Sequence, residues 1–186
     1  AVTVSALMCG GSAYAACGDV TLAAFSWQSS EAAANVDQLI LKNGYGCNAS
    51  VVAGDTVPTI TAQIEKGQPD IVPEATPSLL GEVYTKGVAD KRISQIGVTI
   101  SDGQVSGWYI PQYVADAHPE IKTVEDAIKH PELFPSPDDP KKGVVIQGPQ
   151  GWGETVVTAQ LFKGLQLDKN GFVLTPSGSA AALTLW

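Results

Sequence analysis

The chain has 186 residues, 44% of them hydrophobic, and carries 11 Lys and Arg against 19 Asp and Glu, a formal net charge of −8. This composition is enough to bury one sizeable core or two small ones, and it is neither that of a disordered segment nor that of a membrane-spanning chain. No Lys/Arg cluster exists to neutralise phosphates, which excludes nucleic acid as a partner, and the acidity itself reads as a self-repelling, soluble surface.

In chain order, residues 1–16 are apolar and uncharged and end in Ser12-Ala13-Tyr14-Ala15-Ala16. An apolar run closing on small-x-small predicts the remnant of a secretory signal peptide, cleaved after Ala15, and hence a periplasmic protein. The positively charged start of such a peptide is missing, so the front reads as clipped. The run is too short for a transmembrane helix; a buried strand and a lipidated Cys9 are the competing readings. Cleavage leaves Cys17 and Cys47, an even pair in an oxidising compartment and therefore a disulfide candidate.

From Asp19 the pattern alternates strand and helix. Residues 19–25 form an apolar, β-prone run, and Ser29 is placed to cap a helix beginning at Glu31. Ala33, Val36, Leu39 and Ile40 give that helix one apolar stripe, and Asn43-Gly44 stops it. Residues 48–53 read as a second strand, Thr56 starts a helix ending at Gly67, and residues 70–72 make a short third strand. This βαβαβ order predicts a parallel sheet covered by helices, with Cys17 and Cys47 ahead of neighbouring strands. Pro77 opens a further helix; strands are expected near residues 93–100 and over 107–110. A second unit follows, with a capping-box-like start at Thr123-Val124-Glu125-Asp126, a Pro/Asp loop at 135–140, a strand at 143–147, a helix at 151–165 and a strand at 172–174. Residues 177–183 look like the first turn of a helix, so the C-terminus also reads as truncated.

The chemistry begins with absences. His118 and His130 each precede a proline in polar surroundings and read as surface-loop residues. No Cys or His falls at metal-ligand spacing, and there is no nucleophile elbow, Walker loop or dinucleotide fingerprint. No catalytic residue, metal or cofactor is therefore expected. The positive signal is aromatic. Trp27 follows the first strand, and Gln150-Gly151-Trp152-Gly153-Glu154 joins a strand to a helix, both at the carboxyl ends of strands, where open α/β sheets bind ligands. Aromatic faces hold quaternary ammonium groups, which donate no hydrogen bonds, by cation–π attraction, and amides at a helix N-terminus suit a carboxylate. The glycines flanking Trp152 let backbone approach a ligand; plain core packing is the alternative for each Trp.

Several segments in this order and spacing carry a resemblance: Ala24-Phe25-Ser26-Trp27-Gln28-Ser29-Ser30-Glu31, Gly44-Tyr45-Gly46-Cys47, Gly54-Asp55-Thr56-Val57-Pro58-Thr59, Pro69-Asp70-Ile71-Val72-Pro73-Glu74, Gly107-Trp108-Tyr109-Ile110-Pro111, Asp116-Ala117-His118-Pro119-Glu120 and Gly151-Trp152-Gly153. Nearly all of the chain after Cys17 resembles the glycine betaine/proline betaine/choline-binding proteins of ABC importers. The resemblance implies an α/β, two-lobed, type II periplasmic-binding-protein fold with mixed, mostly parallel sheets. Lobe 1 would span residues 17–105 and lobe 2 residues 106–186, the second incomplete and lacking the return to the first.

It further implies a monomer that captures a small quaternary-ammonium ligand and delivers it to an inner-membrane permease without turning it over. Trp27 and Trp152 fall on positions resembling the family's aromatic cage and would cover the cation from opposite lobes. The amides of Gly153 and Glu154 fall where the family binds the ligand carboxylate. Ala75 stands where relatives commonly carry a cage Trp, and another cage Trp belongs to a stretch beyond Leu183. Glu74, Ala75 and Trp108 are possible cleft residues, and the resemblance favours the Cys17–Cys47 disulfide. Three other readings stay open: a binding protein for another small zwitterion or amino acid, a periplasmic enzyme on a similar scaffold with Glu74 as its one candidate group, and a fragment that does not fold alone.

Overall fold

The structure, a computed structural model, describes residues 17–101, 103 and 106–177. The expected signal-peptide end and most of the expected helix at 177–183 lie outside the described residues.

Strand β1 (Asp19–Phe25) pairs in parallel with β2 (Asn48–Gly54), Asp19 beside Asn48 and Phe25 beside Gly54. Leu22 and Ala23, consecutive and so on opposite faces of β1, are both fully buried, as a strand covered on two sides requires. The expected third strand shrinks to a single bridge. Ile71 pairs with Leu22 through Ala23 N–H donating to the Ile71 carbonyl at 2.9 Å and Ile71 N–H donating to Thr21 at 3.0 Å. Pro69 and Pro73 flank it, and neither can donate to a ladder. Asp70 fixes this crossing: its Oδ2 accepts from the Thr21 hydroxyl at 2.6 Å and the Thr21 amide at 2.7 Å, which holds its carboxyl below the usual carboxylate range. A disulfide joins Cys17 to Cys47, ahead of β1 and β2, with a Cα–Cα distance of 4.6 Å.

Helix α1 (Gln28–Tyr45) crosses from β1 to β2 and ends at Gly46, whose φ of 69° is the left-handed cap that glycine adopts most easily. It starts three residues earlier than expected. Trp27 holds the N-cap position, and Ser29, the expected cap, lies inside the first turn. The expected apolar stripe is also corrected. Ser30 and Ala34 are the buried positions and Leu41 packs on the Leu22, Cys47 and Ala49 cluster, whereas Val36, Leu39 and Ile40 are 54%, 58% and 51% exposed. Small side chains let the helix lie close on the sheet, and two strands present too narrow a face to cover the bulkier flank.

Helix α2 (Thr56–Lys66) ends at Gly67, again left-handed, as expected. Helix α3 (Pro77–Ala89) begins on proline and kinks at Gly81, where φ is 55° and ψ is −131°. The strands expected at 93–100 and 107–110 do not form among the described residues. No described strand pairs with these β-prone segments, and Ile96 and Val98 are 89% and 72% exposed.

The second unit carries its own core. Helix α4 (Gln112–Ala117) is followed by α5 (Val124–Ala127), opened by a complete capping box between Thr123 and Asp126. Strands β3 (Gly143–Gln147) and β4 (Phe172–Pro176) pair in parallel, Gly143 beside Phe172, joined through α6 (Gly153–Gly164). Val114, Ile121, Phe134, Leu167 and Phe172 form the buried cluster, with the two phenylalanine rings 6.4 Å apart. A side chain on residue 143 would meet the Phe172 ring, which explains the glycine that opens β3. Two parallel strand pairs, each crossed by a helix, thus agree with the expected mostly parallel α/β class. No described helix is long and apolar enough to cross a membrane.

Candidate functional site

Residues just past the carboxyl ends of β1 and β3 meet. Trp27 and Trp152 are each the N-cap residue of the following helix, with extended backbone (φ −127°, ψ 154° and φ −75°, ψ 144°), and neither makes a side-chain cap hydrogen bond. The extended cap frees each indole from its helix and aims it past the strand end. Their ring centroids lie 5.2 Å apart with the planes at 80°. Phe25 backs Trp27 at 4.9 Å.

The two rings therefore do not face each other across a gap; they form a corner. A cation needs to lie within about 6 Å of a ring centroid to feel its quadrupole, and with centroids 5.2 Å apart one position can lie within that distance of both rings. Trp27, Ser29, Glu74, Thr76, Trp152 and Glu154 line a cavity of about 230 Å³ there.

Each indole N–H is anchored. Trp27 Nε1 donates to Glu74 Oε1 at 2.8 Å, an oxygen that also accepts from the Ser29 hydroxyl at 3.1 Å. Glu74 is 8% exposed, so its hydrogen-bond partners compensate the cost of burying it. Trp152 Nε1 donates to Ser26 Oγ at 2.9 Å, and that hydroxyl donates to Asp55 Oδ1 at 2.7 Å. Val57 N–H donates to the Gly151 carbonyl at 3.1 Å, tying the start of α2 to the turn that carries Trp152.

The flanking glycines serve packing within the chain. Gly151 has a φ of 103°, and a Cβ there would lie 3.1 Å from Asp55 Cβ; a Cβ on Gly153 would lie 2.7 Å from Leu79 Cβ. Gly148 likewise leaves room for the Trp152 ring. The first-turn amides of Gly153 and Glu154 have no carbonyl partner within their own helix, as at any helix start.

Trp27, Trp152, Glu74 and Glu154 thus come together around one cavity. Ala75 lines the larger, adjoining cavity of about 980 Å³ with Glu74 and Thr76. Trp108 is not brought to either cavity. It packs against the second core, its Nε1 donating to Thr158 Oγ1 at 3.3 Å. Ser26, Ser29 and Asp55 are the residues that sequence reasoning missed as parts of the site. Their signal was position alone, since Ser26 and Ser29 flank Trp27 and Asp55 ends the loop after β2.

His118 and His130 lie in loops, each beside a glutamate two residues on, Glu120 at 3.1 Å and Glu132 at 3.0 Å. Among the described residues no group of three or more His, Cys, Asp or Glu could hold a metal ion.

No curated protein matches the chain significantly. Over residues 18–185 it matches the family model described as the substrate-binding domain of the ABC-type glycine betaine transport system. With nearly its whole length covered by that match, the chain belongs to this family of transport substrate-binding domains, which are not enzymes.

Proposed function

We propose that the chain captures quaternary-ammonium compounds of the glycine betaine, proline betaine or choline type outside the cytoplasm and presents them to the permease of an ABC importer. Membership of the family supports a substrate-binding component for betaine-type compounds that works with such a permease. The disulfide between Cys17 and Cys47 fits the extracytoplasmic location of that family.

The observation that carries the ligand class is the Trp27–Trp152 corner, two indoles 125 positions apart meeting at 80° around one cavity. A permanently methylated ammonium offers no N–H to a polar pocket and takes its attraction from ring faces, about 2 kcal/mol per desolvated face. The rest of the proposal follows the family fold. Residues 17–105 and 106–186 act as two lobes of a type II binding protein, and the hydrogen bond from Trp152 to Ser26 crosses between them as they close on ligand. The first-turn amides of Gly153 and Glu154, next to Trp152 at the start of α6, would take a ligand's anionic end.

Tryptophan-fluorescence titration of the purified protein with choline, glycine betaine, carnitine and neutral amino acids tests the reading. Saturable binding of the methylated ammonium compounds is expected. Tighter binding of neutral amino acids would make the site one for another solute.

A further inference from the structure

We infer that the Gly151-Trp152-Gly153 turn is the seat on which the two lobes close: both glycines abut helix starts of the first lobe and so fix how deeply Trp152 meets Trp27. The inference rests on the two-lobe binding reading above and adds to it the residues that limit closure.

Each glycine faces a different helix of the first lobe. A Cβ on Gly151 would lie 3.1 Å from Cβ and 3.3 Å from Oδ2 of Asp55, which holds the N-cap position of α2. A Cβ on Gly153 would lie 2.7 Å from Cβ of Leu79, in the first turn of α3, and 3.4 Å from the Leu79 carbonyl oxygen. Carbon atoms in contact sit about 3.5–4.0 Å apart. A Cβ is fixed to its backbone, so a side chain at either position moves a helix start away from the turn. Gly151 has a second reason to be glycine, its φ of 103°. Gly153 is not in the left-handed region. It opens α6, where alanine is the better helix former, so the contact with Leu79 accounts for this glycine.

Both neighbours are held in place. Asp55 is of a type that usually caps its own helix, yet it makes no side-chain cap bond. Its Oδ1 accepts from the Ser26 hydroxyl at 2.7 Å instead, and Ser26 Oγ receives the Trp152 N–H at 2.9 Å, so Asp55 is a positioning residue that acts on Trp152 through Ser26. The turn bearing Leu79 is set apart by the kink at Gly81, past which α3 packs on α2 with Gly87 against Ile64. A backbone bond completes the seat, Val57 N–H donating to the Gly151 carbonyl at 3.1 Å. Val57 is the second residue of α2, where its amide finds no carbonyl within its own helix. Protection of that amide from exchange therefore reports the seat itself. Lifting the turn off these helix starts draws Trp152 back from Trp27, whose ring centroid is 5.2 Å away.

Amide exchange by NMR on the full chain without added ligand, and isothermal titration with choline chloride and glycine betaine, test this on the parent, Gly153→Ala, Leu79→Gly and the double variant. The Val57 amide of the parent should exchange at least about 10-fold more slowly than an exposed amide. Gly153→Ala should accelerate that exchange about 10-fold and weaken both compounds by a similar factor, with an unchanged circular dichroism spectrum. Leu79→Gly removes the Cβ that the new methyl group would meet. In that background Gly153→Ala should therefore alter neither exchange nor affinity by more than about twofold, a compensation that general loss of packing does not produce. Asp55→Asn, which still accepts from Ser26, should bind as the parent does, and Asp55→Ala about 5-fold more weakly. An unprotected Val57 amide in the parent, unchanged exchange and affinity in Gly153→Ala, or equal effects of that alanine in both backgrounds overturns the inference and leaves the betaine-type binding reading intact. Equal losses in the two Asp55 variants remove Asp55 from the seat. If Leu79→Gly fails to fold, exchange and affinity in Gly153→Ala decide alone. Failure of the folded parent to bind either compound overturns the binding reading, and the exchange measurements still decide the seat.

Discussion

Replacing Trp152 probes the corner most directly. The side chain lines the cavity and sits 5.2 Å, nearly perpendicular, from Trp27. Trp152→Ala removes one desolvated cation–π face, about 2 kcal/mol, and an edge-to-face contact contributing about 0.5–1.5 kcal/mol to holding Trp27 in place. At about 1.4 kcal/mol per decade, the expected loss in choline affinity is between about 30-fold and a few hundred-fold. Trp152→Phe separates two contributions: it keeps an aromatic face and loses the Nε1 donor that reaches Ser26 Oγ at 2.9 Å. Its expected loss is smaller, about 10-fold or less. Isothermal titration with choline chloride, with far-UV circular dichroism confirming the fold of each variant, reads these values. The uncharged tert-butyl isostere of choline should bind the parent more weakly and be less sensitive to Trp152→Ala. An alanine variant within twofold of the parent, or an isostere that binds as tightly as choline, would refute the cation–π reasoning.

Three further outcomes follow from the same contacts. Ser26→Ala removes both the acceptor for Trp152 and the donor to Asp55; it should weaken choline binding about 2- to 10-fold and be non-additive with Trp152→Phe, whereas strict additivity in a double-mutant cycle would dissolve the relay. The Cys17–Cys47 bond closes a loop with a sequence separation of 30, so serine at both positions should cost about 3–4 kcal/mol. Mass spectrometry of unreduced protein should find no free thiol at either position, and free thiols or an unshifted urea midpoint in the double-serine variant would contradict the bond. Asp70 is held below the usual carboxylate range first by the Thr21 hydroxyl, so its contribution is present above the ordinary aspartate pKa and is lost as pH falls through the lower folded value. Urea midpoints should therefore drop below about pH 4, and less steeply in Asp70→Asn; identical slopes would remove Asp70 from the acid response.

The fold was legible where local rules and tertiary packing agree. Residues 19–25 and 143–147 are strands in the structure with the expected bounds, Gly67 ends α2, and Thr123 with Asp126 forms the expected capping box. It was illegible where β-prone residues lack a partner. Residues 93–100 carry the composition of a strand, but a strand requires an edge with free donors and acceptors, and no described strand lies beside them. The α1 stripe misled for a related reason. Periodicity marks which residues share a face, and sheet width decides which face is covered, so Ala34 is buried while Leu39 is not. In the site, Trp27 and Trp152 were visible because indoles at strand ends stand out. Their convergence on one ligand was implied by the resemblance, whereas their direct edge-to-face contact, like the nearby bond between Val57 and Gly151, joins distant parts of the chain and has no local signal. Trp108 illustrates the opposite case, an indole in a motif-like segment that serves the second core.

Both corner residues break the same local rule. An N-cap position favours Ser, Thr, Asp or Asn, whose side-chain oxygen accepts from the first-turn amides, and a non-capping residue there forgoes about 1 kcal/mol. At the start of α1, Ser26 and Ser29 lie within two positions of the cap, yet Trp27 occupies it and both serines bond elsewhere, to Asp55 and Glu74. At the start of α6 the chain again has Trp152 at the cap with no side-chain cap bond. Folding alone would gain from the opposite assignment at each helix. Two helices that forgo the same stabilisation, at the two places where strand ends converge, fit the proposed cation site, which requires indoles there in place of capping side chains. α2, α3 and α4 also start without a side-chain cap bond, so what sets these two starts apart is the indole itself, placed where two strand ends converge.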